Sequence, residues 1–262
     1  MTILQAIILA FVEGLTEFLP ISSTGHMILT SYMMGIEKNS FVKDFEVIIQ
    51  TGAIFAVLVV YWKRFLPNWT FYKKLFVAFL PTAAIGFAIK DLVNILLGSV
   101  QVVAWSFIIG GLVLIWTDKF FFHLNDKGRK TNELGYRDSV LLGLSQSVAM
   151  IPGVSRSAAT IIGGLALGMN RKEAAEFSFF LAVPTLATAT LYKGYSLLKH
   201  IETSHIHLLI IGNVVAFIVA ILAIKTFIGF LSTHGFKYFG YYRILIGVLF
   251  LILIHLGVEF NI

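Results

Sequence analysis

The segment EGLTEFLPISSTGH, residues 13–26, places two glutamates, a proline, a run of three hydroxyl side chains and a histidine in an apolar neighbourhood. QAIILAF precedes it at 5–11, and MILTSYMMG follows it at 27–35. Pro20 ends a helix, because its ring and missing N–H oppose helix continuation. Ser22, Ser23 and Thr24 are residue types that start the next helix. The segment therefore predicts two short helices joined by a polar break.

The rest of the chain indicates that this break lies in a membrane protein. Of its 262 residues, 58% are hydrophobic and only 13% are charged, whereas a soluble domain carries about 25% charged residues. A membrane-spanning helix needs about 20 mostly apolar residues, because lipid leaves backbone groups to bond one another. Six apolar windows predict such spans, at 45–62, 75–89, 100–117, 176–192, 207–231 and 244–258.

A weak internal repeat divides this single integral membrane domain into two halves. FLPISSTGH at 18–26 is similar to MIPGVSRSA at 150–158, so that Pro20 matches Pro152 and Ser23 matches Ser155. The halves are residues 1–117 and 134–262, joined by a solvated loop at 118–133. The broken segments 2–35 and 134–168 predict re-entrant hairpins, since short interrupted segments at matching positions indicate an embedded site. We predict an all-α polytopic protein, each half a re-entrant helix hairpin plus three transmembrane helices.

Three spans per half would invert the second half relative to the first. Fourteen lysines and arginines fall on one predicted face, in the loops 63–74 and 118–139, at 171–172 and in the region 225–243. Five lie on the other face. Arg156, at the predicted membrane break, is left out of the count. The positive-inside tendency makes the first face cytoplasmic. We expect extracytoplasmic termini and two hairpin tips that meet near the bilayer midplane.

Glu13 and Glu17 lie four residues apart and share one helix face. Buried charges in a membrane helix are costly and usually functional. A bound cation, a shared proton or a histidine partner explains the pair, and so does an interfacial helix with both carboxylates in water. Ser22, Ser23 and Thr24 either cap the next helix or bind an anion at its N-terminus. His26 follows one turn later.

PGVSRSAAT at 152–160 carries the complementary charge. Arg156 is a basic side chain at a predicted membrane break, flanked by Ser155 and Ser157, with Gly153 in the turn. The planar guanidinium suits bidentate phosphate contact. A purely structural salt bridge from Arg156 to Glu13 or Glu17 is the alternative. Glu46 and Gln50 are weaker candidates for lining the same pocket.

The two segments resemble the signature regions of the undecaprenyl-diphosphatases, the UppP or BacA family of bacitracin-resistance membrane phosphatases. FEVIIQTGAI at 45–54 and EAAEFSFFLAVP at 173–184 are also similar to family segments. The resemblance spans nearly the whole chain, with Ala158 where the family commonly has glycine. It implies hydrolysis of undecaprenyl diphosphate to the monophosphate and inorganic phosphate, which recycles the lipid carrier for cell-wall synthesis. It also implies a divalent cation, Mg²⁺ or Ca²⁺, and an active site that opens to the extracytoplasmic side.

The resemblance transfers a set of site residues by motif position. The catalytic candidates are His26, Glu17, Glu13, Ser23 and Arg156. The diphosphate-binding candidates are Ser22, Thr24, Gly153, Ser155, Arg156, Ser157 and Thr160. Glu13, alone or with Glu17, is the metal candidate. The mechanism stays open between attack by His26 positioned by Glu17, attack by Ser23 with His26 as base, and direct attack by water.

The expected partners are the undecaprenyl diphosphate lipid and the bilayer of a bacterial plasma membrane. A nucleic-acid partner is not expected, because the net charge of +6 fits cytoplasmic loops beside anionic lipids. A homodimer is an open possibility. The main rival function is a polyprenyl-phosphate flippase, since inverted repeats with midplane breaks are typical of transporters. Phosphate release from a prenyl diphosphate distinguishes the two.

Overall fold

A computed structural model describes residues 1–66, 68–121, 128–197, 205–258 and 260. Within these ranges the chain is all-α, with twelve α-helices and no strand. The first seven helices are α1 (Ile3–Thr16), α2 (Ser23–Met33), α3 (Ser40–Ile48), α4 (Gln50–Val60), α5 (Trp69–Ala88), α6 (Lys90–Leu97) and α7 (Val100–Phe120). The remaining five are α8 (Tyr136–Ser147), α9 (Arg156–Ala166), α10 (Arg171–Leu197), α11 (Ile206–His234) and α12 (Lys237–His255).

Five helices in the described ranges, α5, α7, α10, α11 and α12, are long and apolar enough to cross a membrane. They correspond to five of the six predicted spans. The sixth predicted span, at 45–62, is not one continuous helix, because α3 ends at Ile48 and α4 begins at Gln50. The break is stabilised from α11, where the Asn213 side chain accepts a hydrogen bond from the Gly52 N–H at 2.8 Å.

Helices of the two halves pack against one another rather than forming separate bundles. Helix α1 lies along α11, and α8 lies along α5. Helix α7 packs against α12, while α4 contacts both α10 and α11. The main core is correspondingly shared, with Phe18 from one half meeting Phe179 from the other at 5.3 Å between ring centroids. The interleaving brings the loop after α1 to the loop after α8.

These two loops end in the same unusual backbone conformation. Ser22, which precedes α2, has φ +69°, and Ser155, which precedes α9, has φ +77°. Positive φ is uncommon outside glycine and is often found at functional sites. The structure therefore matches Ser22 to Ser155, and Ser23 to Arg156, by their place at the helix starts. The predicted match of Ser23 to Ser155 is wrong by one residue, because the second loop has one more residue after its proline.

The described part of the predicted connector is docked rather than fully solvated. The Arg129 N–H donates to the Gly168 carbonyl at 2.7 Å. Thr131 is buried and its hydroxyl donates to Glu173 at 2.6 Å. Residues 122–127 of the connector lie outside the described residues. Helix α7 extends to Phe120, three residues past the predicted end of the first half.

Candidate active site

The loops after α1 and α8 meet directly. The Ser157 hydroxyl donates to the Leu19 carbonyl at 2.7 Å, and Arg156 Nη2 donates to Glu17 Oε1 at 2.8 Å. These contacts join residues about 138 positions apart in the sequence. The sequence-based prediction that an acidic segment faces Arg156 therefore agrees with the structure.

Glu17 is the central acceptor of this contact. Its side chain is buried, one oxygen accepts from Arg156, and the other accepts from the Ser23 hydroxyl at 2.5 Å. Hydrogen bonds to an ionised carboxylate are short and about twice as strong as neutral ones. Ser23 and Arg156 are the first residues of α2 and α9, so one carboxylate is shared by the starts of two helices.

Arg156 is held on one side and leaves donors available on the other. Nη1 donates to the Ser178 carbonyl of α10 at 2.9 Å, and the guanidinium lies over the Phe18 ring at 5.7 Å. Nε is buried and has no hydrogen-bond partner in the described structure. An unpaired buried donor is unfavourable. A bound anion is one ligand that would satisfy it.

A cavity of about 220 Å³ opens between the two loops. Its polar wall comes from both of them, with Glu17, Ser22, Ser23 and Thr24 on one side and Gly153, Ser155 and Arg156 on the other. The rest of the wall is Gln50, Val93, Leu97, Ala149, Met150, Pro152 and Leu186. A second cavity, of about 420 Å³, adjoins the first through Thr24 and Leu97. Ile28, Val42, Val47 and Phe260 make much of its wall apolar, and Glu46 also lines it.

The N-termini of α2 and α9 border the first cavity, and their serines behave differently. Ser155 caps α9, since its Oγ accepts from the Ala158 N–H at 3.2 Å. Ser22 makes no such bond for α2. Uncapped N–H groups at a helix start attract anions through hydrogen bonds and the helix dipole. The start of α2 is therefore suited to a phosphate group in this cavity.

His26 lies behind the cavity and is not part of its wall. Its Nδ1 lies 2.7 Å from the Ser22 carbonyl oxygen, and its Nε2 lies 2.7 Å from the Tyr242 hydroxyl. A carbonyl oxygen only accepts, so Nδ1 carries a proton, and in the neutral ring Nε2 accepts from Tyr242. The expected pairing of His26 with Glu17 is wrong, because both ring nitrogens have other partners.

Three further predicted site residues also lie outside the cavity wall. Ser157 bonds the Leu19 carbonyl, as described above, and Thr160 is fully buried with its hydroxyl on the Arg156 carbonyl at 3.0 Å. Glu13 is 1% exposed, and its side chain contacts that of Glu17. Ser157 joins the second loop to the first and Thr160 bonds within α9, so neither side chain lines the cavity, which differs from the predicted role in substrate binding.

The fit to a divalent cation rests on Glu13. In the described ranges no group of three or more histidine, aspartate or glutamate side chains is arranged to hold a metal. Glu13 Oε1 is nevertheless buried without a hydrogen-bond partner. Mg²⁺ is commonly bound by one or two carboxylates together with substrate phosphates. Glu13 and Glu17 offer two neighbouring carboxylates to a cation, but Glu13 does not line the cavity, and the described residues do not form a complete cage.

Two residues next to the site carry no signal in the sequence motifs. Tyr242 and Arg243 belong to α12, more than 200 positions from His26 and Pro20, which they contact. The charge count includes Arg243 among the charges of a loop region at 225–243, whereas its side chain is fully buried within α12. The sequence feature that could have drawn attention to Arg243 is its position directly before a long apolar run, ILIGVLFLILI at 244–254.

Comparison with known proteins identifies the family. The family model of the bacitracin resistance protein BacA matches residues 6–249. The chain belongs to the BacA family. A relative from Bdellovibrio bacteriovorus, named undecaprenyl-diphosphatase, is 68% identical over 98% of each chain. Proteins with the same name from Flavobacterium johnsoniae and Aquifex aeolicus are 52% and 46% identical, over 97% and 95% of this chain and 97% and 98% of their own.

Proposed function

We propose that this chain is an undecaprenyl-diphosphatase, which hydrolyses undecaprenyl diphosphate to undecaprenyl phosphate and inorganic phosphate. The activity would recycle the lipid carrier for cell-wall synthesis and confer bacitracin resistance. One observation carries the proposal beyond the family name. Glu17 is bonded by Ser23 from one loop and Arg156 from the other, in a cavity that both helix N-termini border.

The two adjoining cavities suit the two parts of the substrate. The smaller, polar cavity would take the diphosphate, with Arg156 and the start of α2 as its anion-binding groups. The larger cavity, with its apolar residues from α2 and α3, would take the first isoprene units of the lipid. Thr24 stands where the two cavities join. Undecaprenyl diphosphate has this same division between a charged head and an apolar chain.

The geometry favours Ser23 as the nucleophile. Its hydroxyl already donates to Glu17 at 2.5 Å, which is within reach for a general base. Ser23 Oγ would attack the terminal phosphorus while Glu17 takes its proton. The bond from that phosphorus to the bridging oxygen then breaks, and undecaprenyl phosphate leaves. Water would then attack that phosphorus and break its bond to Ser23 Oγ, which takes its proton back from Glu17, while inorganic phosphate leaves with the oxygen and protons of the water.

The other groups support this reaction without breaking bonds. Arg156 would stabilise negative charge on the terminal phosphoryl oxygens, the usual role of arginine in phosphoryl transfer. His26 would hold the Ser22 carbonyl and with it the turn before Ser23. Glu13 would be the ligand of a divalent cation, because both oxygens of Glu17 are already bonded, and a bound cation would neutralise negative charge at the site.

The membrane architecture forms part of the proposal. Each helix of one half has a counterpart in the other: α1 and α8, α2 and α9, α4 and α10, α5 and α11, and α7 and α12. When counterparts are exchanged, the contact of α1 with α11 becomes the contact of α8 with α5, which is also observed. The same exchange leaves the α7–α12 and α4–α10 contacts unchanged. This pattern supports two structurally equivalent halves, with three spans each and therefore inverted. The helix pairs α1–α2 and α8–α9 would be re-entrant, in the bacterial inner membrane, with the site open to the extracytoplasmic side.

Accessibility labelling can test this topology because the chain has no cysteine. Single cysteines at Lys38 and Lys172 should react with an impermeant reagent from opposite sides of the membrane. Labelling of both from one side would contradict the inverted arrangement. A homodimer stays a prediction to be tested by the mass of the purified protein in detergent.

Phosphate release tests the activity. Purified protein should release inorganic phosphate from farnesyl diphosphate, and Arg156→Ala should abolish the release while remaining folded. Arg64→Ala is the matched control, because Arg64 also pairs with a carboxylate, Glu176, but lies outside the cavity. Wild-type protein that moves prenyl phosphates across vesicles without releasing phosphate would instead support the flippase.

A further inference from the structure

Arg243 is a fully buried arginine whose charge is not paired with a carboxylate. It lies in the membrane-spanning helix α12 and is 0% exposed. In the part of the chain that the structure describes, no acidic side chain forms a salt bridge with it. Buried cations in membrane helices are costly and are usually retained for function. The groups that stabilise this buried charge therefore have to be identified.

All the donors of the guanidinium are directed to backbone carbonyls. Nε donates to Phe107 at 3.4 Å. Nη1 donates to Pro20 at 3.1 Å and Val154 at 2.9 Å. Nη2 donates to Ser106 and Gly153, each at 2.8 Å. Arginine has five N–H donors, and these bonds use all of them.

The five carbonyls belong to the two site loops and to helix α7. Pro20 lies in the loop before α2, while Gly153 and Val154 lie in the loop before α9. Ser106 and Phe107 lie in α7, and Gly153 of the second loop packs against Val103 and Ser106 of that helix. One side chain thus fixes both site loops to the same helix. Lysine has three donors at a single nitrogen and cannot satisfy this arrangement.

Two glycines of α7 make room for α12: Gly110 for the guanidinium of Arg243 and Gly111 for the helix backbone. A methyl group on Gly110 would collide with Arg243 Nη2 and would lie 2.8 Å from its Cζ. A methyl group on Gly111 would lie 2.6 Å from the Gly240 carbonyl oxygen, where α12 crosses α7. Gly110→Ala therefore displaces the guanidinium without substituting Arg243 or any residue of the cavity wall.

We propose that Arg243 is a positioning residue that fixes the distance between the two loops, and so aligns Ser23 and Glu17 with Arg156. The inference rests on the proposed function. Arg243 does not line the cavity, so the groups that bind the diphosphate remain when it is changed. A misplacement of about 1 Å between reacting groups can cost about 100-fold in rate. The loss should therefore fall mainly on kcat and less on KM.

The experiment compares two perturbations with two matched controls. Arg243→Lys and Gly110→Ala should each lower kcat for farnesyl diphosphate by about 100-fold per folded molecule, with a much smaller change in KM. Arg171→Lys removes the same groups from another buried arginine, which bonds Asp118 and does not line the cavity. Gly229→Ala adds a helix methyl group where no atom lies within 4 Å. Both controls should keep kcat.

The outcomes separate this inference from the proposed function. Unmodified protein that releases no phosphate contradicts the proposed function itself. If it is active, kcat for Gly110→Ala equal to that of Gly229→Ala overturns the role of Arg243. The role of Arg243 is also overturned if activity falls only in proportion to the fraction of folded protein measured by thermal unfolding. If Arg243→Lys does not fold, the kcat of Gly110→Ala decides, because that variant substitutes neither Arg243 nor any residue of the cavity wall.

Discussion

Glu17→Gln is the substitution that most sharply separates the chemistry of the site from its packing. Glutamine has nearly the same shape but is neutral, and it replaces one acceptor oxygen by an NH₂ donor. Its oxygen can still accept from Arg156. Its NH₂ group would then face Ser23 Oγ, which can turn and accept. The hydrogen bond between the two side chains is kept, but its direction is reversed and the Ser23 proton has no base.

The structure sets the size of the two expected effects. Weakening a hydrogen bond between charged groups costs about 1.5–3 kcal/mol of stability, so the variant should fold with a lower unfolding temperature. Loss of a positioned general base lowers the rate by about 100- to 10,000-fold. We therefore expect kcat to fall by that factor while most of the protein stays folded.

Phosphate release from farnesyl diphosphate, in detergent and at saturating substrate, measures this change. Glu176→Gln is the matched control, because that side chain is 6% exposed, compared with 5% for Glu17, and it also bonds an arginine. It should lose stability without losing kcat. A Glu17→Gln enzyme with the kcat of the control would refute the assignment of Glu17 as the base.

Three other predictions follow from the same structure. Gly153→Ala should destabilise the protein by about 1–3 kcal/mol in thermal unfolding, because its methyl group would lie 2.8 Å from the Val103 oxygen at φ +88°; unchanged stability would contradict the observed turn. Val47→Trp should raise KM for farnesyl diphosphate more than for dimethylallyl diphosphate by filling the second cavity; equal effects would place the lipid elsewhere. Asp138→Ala should cost about 1 kcal/mol at neutral pH, because Asp138 accepts from the Gly135 N–H at the start of α8. The Gly135 and Arg129 bonds hold the pKa of Asp138 below its usual value, so this difference should vanish as the pH falls through that lowered pKa; a difference that persists in acid would count against it.

The chemistry of the site was largely predictable from the sequence. Polar groups such as Glu17 and Arg156 are so costly in an apolar chain that their positions alone indicate a shared site. The hydroxyls after Pro20 indicate a helix start in the same way. The contact between the loops follows from the repeat, because equivalent segments of two halves tend to meet at their interface.

Other features depend on contacts that no local pattern encodes. The break at Ile49 is stabilised by Asn213, which is remote in sequence. His26 is held by Tyr242, 216 residues away, so its proximity to Glu17 along the chain is misleading. Arg243 lies near the start of a span, where an arginine usually marks a membrane boundary. Its burial becomes visible only when Pro20 and Gly153 are seen beside it.

The identity of the phosphorylated residue tests the central claim most directly. The protein would be mixed with a prenyl diphosphate labelled in its terminal phosphate, quenched rapidly in acid, and mapped by mass spectrometry. Ser23 next to Glu17 and Arg156 predicts an acid-stable phosphate on Ser23 that disappears in Ser23→Ala. An acid-labile phosphate on His26, or transfer of the phosphate straight to water with no phosphoenzyme, would contradict the account.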